Sequence, residues 1–327
     1  MSSSKKIITV VGATGLQGSS VVNTFLPLEN WHVRALTRNM TSEKAQALAA
    51  AGVEVVQADL SDAASLARAF ENSHAIFLNT TFWETYAPLI ASGVPPSVTS
   101  KQAWEAEVSN GKNAANAAAS VPTLERLVYS ALPSPKKASN GKYRRSGHAE
   151  AKGEIVNYVE TELPELAKKT SYLYLGAYNT NPLLYPKLDP RSGQYTTMLP
   201  TKKIRMPIVD PKESTGPFVR TLVEDEAPGI KLLGYDEDSN LVFDDIIAIW
   251  TGVTGKDVVV LEMSTQEISK LIGVDMEILE MIDFVAEYGY SGGVDGMIEP
   301  SQLKNKPTTK SWQQWLKERD VKELLGQ

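Results

Sequence analysis

No cysteine occurs in the 327 residues, so the chain can form no disulfide, thiolate nucleophile or cysteine-bound zinc site. Histidine is almost as scarce. His32, His74 and His148 are scattered without metal-ligand spacing, and no metal site is expected. No run of about 18 apolar residues occurs anywhere, which argues against a membrane span. The opening "MSSSKKIITVVG" is too polar for a signal peptide. Positive charge is short as well: the net charge is −6, opposite to the concentrated basic field that direct nucleic-acid binding requires. The expectation is a reduced, soluble, cytoplasmic protein, or a nuclear one if it is a regulator.

What is present is a strand–helix alternation. Strands are expected at Lys6–Val11, His32–Thr37, Val53–Gln57, Ala75–Leu78, Leu124–Ser130 and Ser171–Leu175. Helices are expected between them, at Gly15–Phe25, after Ser42, from a Ser61 cap to Phe70, at Ala103–Ala119 and at Ala149–Glu162. Ala87–Ser100 reads as a loop, and Lys136–Gly147 as a mobile basic one. This pattern predicts an α/β fold: a Rossmann-type, doubly wound parallel sheet over residues 1–176. A smaller, irregular α/β lobe is expected over 177–327, with 256–263 as a stretch that returns to the first domain. Proline and turn residues dominate Asn181–Pro217. Helices are then expected at Phe243–Thr254, Thr265–Ile272, Met276–Tyr288 and Ser311–Leu325, and a strand at Val258–Leu261.

The most informative stretch is Gly12-Ala13-Thr14-Gly15-Leu16-Gln17-Gly18. It follows a strand and opens a helix, the context in which a glycine triplet cradles a dinucleotide. Gly12 permits the tight turn, Gly15 lets backbone approach a pyrophosphate, and Gly18 lets helix and strand pack closely. Twenty residues after Gly18, strand two ends in Arg38 where an NAD site would carry Asp or Glu. A guanidinium there pairs with a 2′-phosphate, so NADP(H) is favoured. Asp59-Leu60, ending strand three, would border the adenine; a helix-capping role for Asp59 is the plainer alternative.

These residues resemble the NmrA-like family of atypical short-chain dehydrogenase/reductases. "GATGLQG", "LTR" with Arg38, "QADLSD" with Asp59 and "IFLNTTFWE" are similar to the family's motifs. Thr80, Phe82 and Trp83 match the last, while Thr81 stands where the family has asparagine. "LVYSAL", "AKGEIVNYV", "YLGAYNTN" and "SWQQWL" extend the resemblance along nearly the whole chain. It implies an NADP(H) cradle from Gly12–Gly18, Arg38, Asp59 and Thr80–Phe82. It also implies Lys152 near the nicotinamide ribose and Tyr178 and Asn179 near the nicotinamide end.

Ordinary short-chain reductases place a tyrosine one helical turn before the lysine, so that both face the cofactor. Here His148 occupies that position. Two functions remain open. One is an NADPH-dependent reductase of a small C=N, C=C or C=O substrate, an imine reductase for example. It would need no proton donor for a preformed iminium, and otherwise would use His148, Tyr178 or water. The other is a non-catalytic NADP(H) redox sensor acting on a protein partner.

Overall fold

The structure is a computed structural model and describes residues 5–326. Residues 1–4, the start of the segment read as no signal peptide, lie outside it. The first half runs β1 (Lys6–Val10), α1 (Leu16–Phe25), β2 (Trp31–Thr37), α2 (Glu43–Ala50), β3 (Glu54–Gln57), α3 (Ala63–Phe70), β4 (Ala75–Leu78), α4 (Trp83–Ala91), α5 (Pro96–Ala119), β5 (Arg126–Ala131), α6 (Pro135–Ala138), α7 (Gly147–Glu162), α8 (Pro164–Ala167) and β6 (Thr170–Leu175). The second half runs β7 (Ala177–Tyr178), β8 (Lys187–Leu188), β9 (Tyr195–Leu199), β10 (Arg205–Val209), α9 (Thr215–Glu224), β11 (Lys231–Gly234), β12 (Asn240–Val242), α10 (Phe243–Thr254), β13 (Val258–Glu262), α11 (Thr265–Ile272), α12 (Met276–Tyr288), β14 (Met297–Ile298), α13 (Trp312–Lys317) and α14 (Val321–Leu324).

Eight strands form one parallel sheet in the order β14-β11-β6-β5-β4-β1-β2-β3. Alternate side chains of each strand serve opposite faces. Ile76, Leu78, Leu127 and Tyr129 pack under α3, α5 and α7 with Leu66, Ala114 and Ile155. Ala75, Phe77 and Val128 face the other way, with Val21 and Phe25 of α1 and Val219 and Leu222 of α9. The order reverses beside β1, between β2 and β4. That opens a crevice at the carboxyl ends of the strands, where α/β sheets bind ligands.

The second lobe has two three-stranded sheets, β12-β10-β7 and β13-β9-β8, around a core that includes Trp250, Phe243, Phe284 and Trp312. β13 pairs in parallel with β9 there, so 256–263 does not return to the large sheet. The elements that do return are α9, which packs on α1, and β11 and β14, which extend the sheet beyond β6.

Other local expectations need correction, each for a physical reason. Ala87–Ser100 is mostly helix, divided between α4 and α5. Pro96 stands at the first helical position, where the missing N–H costs nothing. α3 is capped by Asp62, which accepts from the N–H groups of Ala64 and Ser65; Ser61 is bound instead by Asp59. The basic loop is pinned. Glu150 accepts from Lys136 N–H (2.6 Å), Glu280 from Arg144 N–H (2.7 Å) and Arg145 N–H, and Glu287 from Tyr143 OH (2.6 Å). The terminal helix breaks in two because Asp320 starts a new turn by capping α14.

Asp236, after β11, is buried. One of its oxygens accepts from Asp210 N–H (2.7 Å), and the other, Oδ1, has no hydrogen-bond partner among the described residues. Burial pushes this carboxyl up to about 6, against 3.8 for the free group. Between those pH values the folded state holds a proton that the unfolded chain has lost. Stability therefore falls as pH rises through this window, and the whole cost is present above it. Asp236→Asn is expected to stabilise the protein by about 1–3 kcal/mol at pH 7.5 and by much less near pH 4, read from urea melts at both.

Candidate functional site

Gly12 ends β1 with φ of +71°, a left-handed conformation that glycine adopts without strain. The chain turns there, and Gly15 caps α1 without any side-chain hydrogen bond. The first-turn N–H groups of α1 are thus left for a ligand, with the positive end of the helix dipole behind them. α1 lies so close to β1 that a Cβ on Gly18 would stand 2.1 Å from Gly12 O. Gln17 is buried and donates from Nε2 to Tyr178 OH (2.7 Å), while its Oε1 has no partner among the described residues. Its bond ties the glycine turn to β7. Burial pushes the Tyr178 phenol up, so it stays a neutral hydroxyl. Buried Asn179 and exposed Leu16 then share a cavity of about 470 Å³ with Asp210, Trp315 and Arg319.

At the other end of the crevice, Arg38 leaves β2 exposed and forms a two-pronged pair with Glu84 of α4, at 2.9 and 3.1 Å. This pair crosses from the end of β2 to the element after β4, spanning the mouth of β1. An exposed ion pair is worth only about 0–1 kcal/mol, so a doubly charged phosphate can displace Glu84. Lys44 of α2 adds a second cation, its Nζ donating to Thr14 O (3.2 Å). The glycine turn, the open helix start and the two cations Arg38 and Lys44 fit a phosphorylated dinucleotide.

Asp59 is occupied locally. Its Oδ1 accepts from Ser61 N–H (2.8 Å) and Ser61 OH (2.6 Å), and these bonds hold its carboxyl below the usual range. Half-buried Leu60 packs under the sheet, and its carbonyl accepts from Asn113 (3.0 Å). Thr80 is buried: its hydroxyl donates to Glu107 (2.7 Å) and lies 3.1 Å from Tyr129 OH. Thr81 is exposed, and Phe82 is buried against Tyr86.

Lys152 reaches the carboxyl ends of β4 and β5 from α7. Its ammonium lies 2.9 Å from Thr80 O, 3.3 Å from Ser130 O, 3.4 Å from Asn79 Oδ1 and 3.4 Å from Glu107. Burial pushes its pKa down, opposed by the Glu107 carboxylate. In this arrangement Lys152 clamps the Thr80–Phe82 loop. His148, one turn earlier, stacks beside Trp83 at 5.2 Å between ring centres and donates its backbone N–H to Glu277 (2.9 Å). Tyr195, Trp250 and Phe284 are core residues of the second lobe.

Lys44, Glu107 and Glu277 belong to no motif of the chain, and Glu84 is only the last residue of "IFLNTTFWE". Glu107 carries a signal: it interrupts Thr99, Ala103 and Gly111, residues spaced by four along the buried face of α5. Among the described residues no group of three acidic or histidine side chains is placed to hold a metal, and no helix is long and apolar enough to cross a membrane.

Comparison with known proteins follows the same lines. Residues 4–316 match the NmrA-like family. An NmrA-like family domain-containing oxidoreductase of Aspergillus campestris is 36% identical over 157 residues, 48% of this chain and 42% of that protein. One from Aspergillus japonicus is 38% identical over 136 residues, 42% and 37% of the two. The chain thus spans about two fifths of the length of these two relatives. One from Aspergillus hancockii is 25% identical over 317 residues, 92% of this chain and 88% of that protein. Among solved structures, the negative transcriptional regulator NmrA in complex with NADP superposes with a TM-score of 0.69 at 21% identity, covering 96% and 95% of the chains. The NADPH-dependent quinone oxidoreductase of Escherichia coli superposes at 0.65 and 21%, covering 94% and 98%. These two likenesses concern the fold. Since the family match takes in the glycine turn, the Lys152 helix and most of the second lobe, the chain belongs to the NmrA-like family.

Proposed function

We propose that this protein binds NADP(H) and reduces a small organic substrate by hydride transfer. The carrying observation is the crevice beside β1, which combines an uncapped helix start with the Arg38 guanidinium, held only by an exposed carboxylate. The relatives named as oxidoreductases support the same reading. The cavity shared by Leu16 and Asn179 offers space for a substrate next to the glycine turn. C=N, activated C=C and C=O groups all lie within the chemistry of such a site.

The alternative, an NADP(H)-binding sensor that acts through a protein partner, is favoured by one observation: the Lys152 ammonium is taken up by protein oxygens. NADPH offered with a cyclic iminium salt, an enone and a quinone separates the two. Turnover of any probe supports the reductase. Binding without turnover supports the sensor.

Coenzyme choice is expected to rest on Arg38. Arg38→Ala should weaken NADPH binding by about 10-fold or more, through loss of one charge-assisted bidentate contact, and change NADH binding little. Fluorescence titration with both nucleotides checks this. Equal affinities in the wild-type protein would remove the argument.

A further inference from the structure

Glu277 is a carboxylate of the second lobe buried against the start of a helix in the first. Only 1% of its side chain is exposed. Both oxygens are engaged. Oε1 accepts from His148 N–H (2.9 Å) and lies 2.8 Å from His148 Nδ1; Oε2 accepts from Ser100 OH (2.5 Å). Glu280, one turn along α12, holds the N–H groups of Arg144 and Arg145. Two buried acids of one helix therefore fix the segment that begins α7.

The consequence falls on the imidazole. Oε1 already accepts the backbone N–H of His148, so Nδ1, facing the same oxygen, is the donor nitrogen and carries the ring proton. Nε2 makes no hydrogen bond to the described residues. The ring is held between Trp83 and Phe82, the residues that follow β4 at the carboxyl edge of the sheet, one helical turn from Lys152. A carboxylate on one ring nitrogen and a second nitrogen unbound by the described residues is the arrangement of an acid–base histidine with its orienting partner.

We infer that His148 is the proton-transfer residue of this site and that Glu277 is its positioning residue. The inference rests on the reductase reading and narrows its substrate. A preformed iminium ion needs no proton, whereas a ketone, enone or quinone does. The substrate carbon, or the quinone ring system, accepts a hydride from reduced nicotinamide. For the transfer the ring takes a second proton from solvent at Nε2, becoming an imidazolium that faces the Glu277 carboxylate. The π electrons move onto oxygen, and that oxygen takes the Nε2 proton. The substrate gains two electrons, the coenzyme loses two, and His148 returns to its Nδ1–H form.

The first test needs no turnover. Diethyl pyrocarbonate is applied to the full-length protein with and without saturating NADP⁺, and the modified peptides are read by mass spectrometry. His148 is expected to react at Nε2 and to be protected by the nucleotide. An unreactive His148, or one modified equally fast under bound nucleotide, overturns the inference. Nucleotide binding itself is followed by fluorescence, so its complete failure marks the coenzyme reading instead as wrong.

The second test addresses Glu277. Long-range ¹H–¹⁵N spectra of ¹⁵N-histidine-labelled protein should show the Nδ1–H form for His148, assigned by its loss in His148→Asn. Glu277→Gln should mix the tautomers, and Glu277→Asp should restore the Nδ1–H form. An unchanged tautomer in Glu277→Gln overturns the positioning role. With 9,10-phenanthrenequinone as probe, His148→Asn should lower kcat by about 100-fold or more at unchanged NADPH affinity. A wild type that reduces a cyclic iminium but neither the enone nor the quinone also overturns the inference.

Discussion

Gly18→Ala is expected to abolish useful nucleotide binding and to destabilise the fold together. The added methyl would meet Gly12 O at 2.1 Å, Gly12 C at 2.5 Å and Ala13 Cα at 2.8 Å, all of them backbone atoms. Backbone cannot rotate aside as a side chain can, so α1 must lift away from β1. Overpacking of this kind costs about 1–3 kcal/mol and occasionally more. The rigid neighbours put Gly18 at the upper end, a fall in Tm of about 6–10 °C for a chain of this size. The same displacement moves the first-turn N–H groups that would face the pyrophosphate. Losing two charge-assisted hydrogen bonds at about 1.5 kcal/mol each weakens binding by about 100-fold. Thermal melts and nucleotide titration of the one variant read both effects. A variant that melts like the wild type would show that α1 has room to move.

Glu107→Ala should be the most damaging single change in the core. Glu107 has no exposed side-chain surface and stands 3.4 Å from the Lys152 ammonium. Removing one member of a buried pair strands the other, at a cost of about 3–5 kcal/mol. Lys152→Met should cost a similar amount. The double variant Glu107→Leu/Lys152→Met should be less destabilised than the sum of the two, since no stranded charge remains. The pH dependence has a definite sign. Burial already pushes Lys152 down from 10.5, and without Glu107 no opposing charge remains beside it, so it falls further. The unfolded chain then binds more protons than the folded one, so the stability of Glu107→Ala rises with pH up to the value of the free lysine. Urea melts across the alkaline range check this. A flat profile would mean that water reaches the ammonium.

Much of the fold is legible in the chain because its signals are local. α10, α11 and α12 start and stop where periodicity places them, and Gly255, Gly273 and Gly289, each with positive φ, end them. The glycine turn is legible for the same reason: strand, tight turn and helix follow one another within twenty residues. α4 and α9 are hidden by Pro88 and Pro217, which read as breakers: α4 continues through Pro88, whereas Pro217 stands in the first turn of α9, where its missing N–H costs nothing. β7 and β10 owe their existence to each other across some thirty residues, β8 is a two-residue arm of a hairpin with β9, and segments of two to five residues carry too little pattern to betray them.

The site divides along the same line. Arg38, Lys152 and His148 are visible because each sits at a fixed interval from a recognisable element. Their carboxylate partners are not. Glu84 lies 46 residues from Arg38 and Glu277 lies 129 from His148, and nothing in the chain near either acid names its partner. Sequence thus identifies Arg38, Lys152 and His148, while the three-dimensional arrangement identifies what fixes them and adds Lys44.

The returning strands bear on how the chain matures on the ribosome. β6 receives its outer neighbour only when Lys231–Gly234 has emerged, and the outer surface of α1 stays bare until α9 arrives. A nascent chain that carries every motif of the coenzyme site is therefore still an unfinished sheet, with one open edge and one oily helix face. Synthesis order and folding order part company here: the amino-terminal lobe must wait for segments made long after it, and chaperones have that interval in which to guard it.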